Sequence, residues 1–187
     1  APVEQGNSWR LAREGEIYWD KKFLQLWHLQ ISPNGKNIWG VAAEKFGRFT
    51  VVRNDRCWKN KYPVITDLVI GPDGERACAV GQNESKRFPR DTQMGDQMWQ
   101  LIIDDEPASK FYDRIFTPVF SPDSKHVAIL AENSGKYTVL LDGKPYQEEF
   151  DLAWKPIFSP DGEKILLRGL KEHKFTRMII PVTSFLK

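Results

Sequence analysis

Three histidines, two cysteines and a recurring set of serines and aspartates are the residues of this 187-residue chain that could do chemistry. His28, His126 and His173 could ligate a metal or carry a proton, and Cys57 and Cys78 could ligate or cross-link. Neither set has ligand spacing, and no Cys-x-x-Cys-His occurs, so no metal, iron-sulfur cluster or heme is expected. Ser32, Ser121 and Ser159 precede prolines and lack the Gly-x-Ser-x-Gly elbow that would present a nucleophile. Asp73, Asp123 and Asp161 could serve paired-carboxylate hydrolysis, but each stands next to a proline inside one repeated tetrapeptide. Asp104, Asp105 and Asp142 likewise close a strand into its next turn, and phosphate-cradling glycine loops are missing. No catalytic residue and no cofactor is therefore expected, and the chain does not read as an enzyme.

The elements that would position these residues are set by that tetrapeptide. It occurs as Ser32-Pro33-Asn34-Gly35, Gly71-Pro72-Asp73-Gly74, Ser121-Pro122-Asp123-Ser124 and Ser159-Pro160-Asp161-Gly162, at spacings of 39, 50 and 38 residues. Proline presets φ, the Asx side chain bonds nearby backbone, and glycine accepts a positive φ, so each copy reverses one strand into the next. Other positions keep register with it. Nine residues earlier stand Phe23, Tyr62, Tyr112 and Phe150; five earlier stand Trp27, Thr66, Phe116 and Trp154. A later strand opens on Phe49, Trp99, Tyr137 or Phe175, and Trp9 is a further copy of that position.

A period near forty residues with an apolar strand after each turn predicts an all-β, β-propeller-like array of four-stranded antiparallel blades. It forms one domain over residues 1–187, with four full blade equivalents and a surplus strand. The first strands are expected at 24–31, 63–70, 115–121 and 152–159, and the fourth strands at 56–61, 107–111 and 144–149. The N-terminal part supplies only a third and a fourth strand, Trp9 to Arg13 and Glu16 to Asp20. Two closures stay open: a small ring with a surplus strand, or an open arc completed by a second copy through the unpaired edge, which would make a homodimer.

Composition fits an ordinary globular protein, with 41% hydrophobic and 28% charged residues. The net charge of +2 is spread through the repeats, so no nucleic-acid footprint is expected. No apolar run is long enough to span a bilayer and no leader is evident, so the chain is expected to be soluble, without membrane insertion. Cys57 and Cys78 fall in different strands of neighbouring repeats, and two buried thiols are the expected state.

The turn and the apolar strand after it resemble the WD40-like, TolB-type propeller repeat over nearly the whole chain. A narrower resemblance is carried by Gly135-Lys136-Tyr137-Thr138-Val139, Asp142-Gly143-Lys144, Phe150-Asp151-Leu152-Ala153-Trp154-Lys155-Pro156 and the seven tryptophans. These are similar to the tryptophan-rich D subunit of the Tmc transmembrane electron-transfer complex of sulfate-reducing bacteria. That resemblance implies a cofactor-free scaffold on the cytoplasmic side of a membrane redox complex, with protein partners; the periplasm is the alternative address. It supplies no catalytic residue to carry over.

The repeat fails in one place. Residues 82–97 lengthen a single connection, and within them Lys86, Arg87, Phe88, Pro89 and Arg90 set an apolar ring among three positive charges, suited to a partner's acidic rim. A tolerated polar loop is the other reading. The functional expectation is thus a non-catalytic interaction subunit. The alternative is a ligand-binding or hydrolytic propeller with its site on the central axis.

Overall fold

The computed structural model describes residues 1–82 and 98–185, and it consists of five antiparallel sheets in sequence order. The first holds β1 (Pro2–Gln5), β2 (Ser8–Arg13) and β3 (Glu16–Ile17). The second holds β4 (Gln25–Ile31), β5 (Ile38–Lys45), β6 (Arg48–Arg53) and β7 (Arg56–Cys57). In the third are β8 (Ile65–Ile70), β9 (Ala77–Gln82), β10 (Trp99–Ile103) and β11 (Glu106–Pro107). The fourth contains β12 (Arg114–Ile115) and β13 (Val119–Phe120), two pieces of one interrupted inner strand, then β14 (Val127–Asn133), β15 (Lys136–Leu141) and β16 (Lys144–Pro145). The fifth repeats that interruption in β17 (Leu152–Ala153) and β18 (Ile157–Phe158), followed by β19 (Lys164–Lys171), β20 (Lys174–Pro181) and a 3-10 turn, Val182–Phe185.

The all-β propeller-type array stands, while the strand count differs at the ends. Pro2–Gln5 pairs with β2 and adds a second strand to the first sheet, and β20 pairs with β19 inside its own sheet. The array is therefore three full blades flanked by two three-stranded ends. No described strand of the last sheet pairs with one of the first. The fourth strands are two residues long rather than five or six, because the chain then leaves to cross to the next sheet. The inner strands break four residues before each turn. His28 and Asp67 take φ of 53° and 51° there, and the ladder shifts register. In the fourth and fifth sheets the next residue is Pro118 or Pro156, which has no amide to donate, and the strand splits.

Packing between neighbouring sheets makes the core. Trp39, Val41 and Val51 of the second sheet lie against Ile65, Ala77, Ala79 and Ile102 of the third, and equivalent clusters fill the other three junctions. Second strands covered on both faces are continuously buried, as in β9 and the first five residues of β14. In β19 burial alternates, because one face alone is covered. Each crossing between sheets carries an aromatic bridge: Trp9 to Phe23, Phe49 to Tyr62, Trp99 to Tyr112 and Tyr137 to Phe150 exchange backbone hydrogen bonds.

The turns are stitched to one another. Ser121 Oγ donates to Asp123 Oδ1 at 2.6 Å and accepts from the His126 amide at 2.9 Å, closing the loop on itself. Asn34 Nδ2 donates to the Asp73 carbonyl and the Asp73 amide donates to Ser124 Oγ, each at 2.9 Å, tying three successive turns together. On the same rim, Asp105 accepts from the Lys59 and Asn60 amides of the preceding crossing, and Asp55 does the same for Asp20 and Lys21.

Candidate functional site

Each aspartate that could have served hydrolysis is occupied by the turn it stands in. Asp123 and Asp161 accept from a serine hydroxyl and from backbone amides, and these bonds hold both carboxyls below the usual carboxylate range. His126 Nδ1 lies 2.7 Å from Asp142 Oδ2, an arrangement that in isolation resembles a catalytic pair. Repeat register explains it otherwise. Asn37 with Asn54 and Arg76 with Asp104 hold the same two positions in the second and third sheets, and each time the hairpin residue also accepts the next backbone amide. The His–Asp contact is the fourth sheet's version of a clamp between a turn and a hairpin.

His28 and His173 sit at positive φ in a strand irregularity and in the β19–β20 hairpin, remote from His126 in register. Cys57 and Cys78 are free thiols in different sheets, and burial pushes both upward in pKa, Cys57 against the opposing pull of Lys21. Among the described residues no three His, Cys, Asp or Glu side chains converge on a point that could hold a metal ion.

The position four before the turn, one in each inner strand, is held by His28, Asp67, Thr117 and Lys155. Thr117 Oγ1 donates to Asp67 Oδ1 at 2.6 Å, and Gln30 Nε2 donates to the Leu68 carbonyl at 3.0 Å. These bonds join sheets and leave Asp67 engaged. A broad groove lies elsewhere, between the third, fourth and fifth sheets, walled by Lys110, Tyr112, Tyr146 and the ion pairs Lys136–Asp151 and Lys171–Glu148. Asp151 and Glu148 are held by lysines, while Glu149 and Glu172 add negative charge to the wall, so the groove offers shape and charge.

Lys86, Arg87, Phe88 and Arg90 lie outside the described residues. The feature that reading the sequence missed is the uncovered face of the fifth sheet. Leu152, Trp154, Ile157, Phe175 and Ile179 are exposed there, with Leu166 and Leu170 half-buried between them. At its centre Arg168 and Arg177 stand directly opposite each other across β19 and β20.

No protein-family model matches the chain, and no curated protein matches it. Solved structures do resemble it in fold. A dipeptidyl aminopeptidase IV homologue from Bacteroides ovatus aligns over 99% of this chain and 34% of its own, at 9% identity and a TM-score of 0.56. TolB from Acinetobacter baumannii aligns over 95% and 46%, at 16% identity and a TM-score of 0.45. The β-propeller domain of the Trilobed protease from Pyrococcus furiosus aligns over 86% and 59%, at 17% identity and a TM-score of 0.49. The chain thus spans between about a third and three-fifths of these proteins, and what it shares with them is the β-propeller architecture.

Proposed function

We propose that the chain is a non-catalytic interaction module, a propeller-type scaffold that presents surfaces to protein partners. The observation that carries this reading is the fifth sheet's exposed apolar face, set beside His126 and turn carboxylates such as Asp123 that are tied into turns and hairpins. The finer assignment, a cofactor-free subunit on the cytoplasmic side of a membrane electron-transfer complex, rests on the tryptophan-rich segments around Tyr137 and Trp154. Co-purification of the tagged chain with heme- and iron-sulfur-bearing membrane subunits tests it. Recovery of the chain free of any such subunit from its native membranes would remove that assignment while leaving the interaction role.

The axial reading has less to stand on, because Asp67 is bonded to Thr117 and His28 has no carboxylate partner among the described residues. Self-association through the unpaired edge of β20 is a further interaction mode, and the mass in solution reports on it.

A further inference from the structure

Repeat register shows what the last face lacks. Nine residues after the turn serine or glycine, the second strand carries Val41, Val80 and Leu130 in the three full blades, each directly opposite Val51, Leu101 and Val139 of the third strand. All six side chains are buried under the following sheet. In the fifth sheet the same two positions are Arg168 and Arg177. Around them the neighbouring cross-strand pairs stay apolar, Leu166 with Ile179 and Leu170 with Phe175.

Neither arginine has an ion pair or hydrogen-bonding partner among the described residues, and Arg168 Nε is shielded from solvent without an acceptor. Two cations facing each other inside an apolar ring repel, and a carboxylate set between them would relieve that repulsion with charge-assisted hydrogen bonds. The uncovered face of the first sheet does not supply one. Val3, Arg10 and Ala12 line it, and Arg10 Nε is, like Arg168 Nε, a shielded guanidinium nitrogen without an acceptor. End-to-end stacking of two copies would bring three arginines together, so charge argues against a second copy as the occupant.

We infer that the fifth sheet's outer face docks a separate protein whose surface sets one or two carboxylates within an apolar patch, the carboxylates bridging Arg168 and Arg177. This deepens the interaction role and rests on it. Phe175 completes the surface: it holds the position from which Trp9, Phe49, Trp99 and Tyr137 each reach the next crossing aromatic, and it has none to reach. A partner's ring or aliphatic side chain fits beside it, against Trp154.

The test uses the full chain, immobilised, and a displayed library of random peptides as the probe. The expected result is enrichment of sequences in which Asp or Glu stands among Leu, Ile, Phe or Trp. Their affinity should fall about tenfold or more on Arg168→Ala/Arg177→Ala. Arg168→Glu/Arg177→Glu should restore binding when the selected peptide's carboxylates are replaced by lysine, which a variant that merely unfolds cannot do. Peptides that bind the arginine variants unchanged would overturn this site and leave the interaction role standing; failure to select any peptide would overturn both. The inference also falls if the chain dimerises with Arg168 and Arg177 protected from phenylglyoxal, or if a later segment of the same polypeptide protects them.

Discussion

Phe175 meets Trp154 edge to face, with ring centroids 5.9 Å apart and planes at 68°. Phe49 meets Trp27 in the same way, at 5.3 Å and 85°. The two pairs hold the same places in their blades, yet in the second blade Phe49 goes on to bridge Tyr62, while Phe175 is 61% exposed. The last sheet is therefore built as an ordinary blade up to its outer surface, and the differences there can be measured.

The cross-strand arginines should cost stability in the isolated chain. Arg177→Leu replaces a repelling pair with an apolar residue beside Leu166 and Leu170, and like charges directly opposite in a sheet destabilise by roughly 0.2–1 kcal/mol. The urea midpoint should rise by a corresponding amount; a fall would mean that Arg177 has a stabilising partner.

Gly169 should tolerate no side chain. A Cβ there would stand 2.3 and 2.7 Å from ring carbons of Phe150 and 3.0 Å from the Leu152 carbonyl. Phe150 is 1% exposed and fixed by its bridge to Tyr137, so it cannot yield. Gly169→Ala should lose about 1–3 kcal/mol by overpacking, read from the same denaturation curve. An unchanged midpoint would show that the junction between the fourth and fifth sheets is loose.

Both thiols should resist modification in the folded chain. Burial disfavours the Cys78 thiolate most, and it disfavours that of Cys57 despite the nearby Lys21 and Lys61. Titration with a disulfide reagent at mildly alkaline pH should give no fast reaction at Cys78 and a slow one at Cys57. In denaturant two thiols should react at once, whereas none would reveal a disulfide.

Acid should weaken the turns. Asp123, Asp151 and Asp161 all have folded pKa values lowered by hydrogen bonds, so the unfolded chain takes up protons first as pH falls. Their contribution is full above the ordinary aspartate value and is lost as pH drops below it through the folded values. These groups are exposed, so the effect is modest and screened by salt. Tm should decline from about pH 4 downward, less steeply in Asp161→Asn. Parallel curves for variant and parent would mean that Asp161 does not contribute.

Much of this architecture could be read from the chain because the turn chemistry and the aromatics are local and repeated. Pro33, Asn34 and Gly35 define a reversal wherever they occur, and Phe23, Tyr62, Tyr112 and Phe150 are buried as their fixed register implied. The strand at Pro2–Gln5 was hidden because four mixed residues carry no period, and only its ladder to β2 makes it a strand. The short fourth strands depend on Asp55 and Asp105 gripping the crossing of another blade, which no local pattern encodes. Arg168 stands in the sequence as a charge in an otherwise apolar column of Val41, Val80 and Leu130, and that column, unlike the aromatics, carries no local turn chemistry to mark it. That its face is uncovered is a three-dimensional fact.

The stitching of each turn to its neighbour has a kinetic corollary. The substantial contacts between sheets join consecutive ones, so exposing an end sheet breaks one junction, while exposing the third breaks two. Backbone amides should then exchange with deuterium on a gradient, slowest in β9 and β14 and fastest in β1 and β20. On that gradient the molecule loosens inward from both ends, and the sheet bearing Arg168 and Arg177 is the one whose exchange a bound partner would slow most.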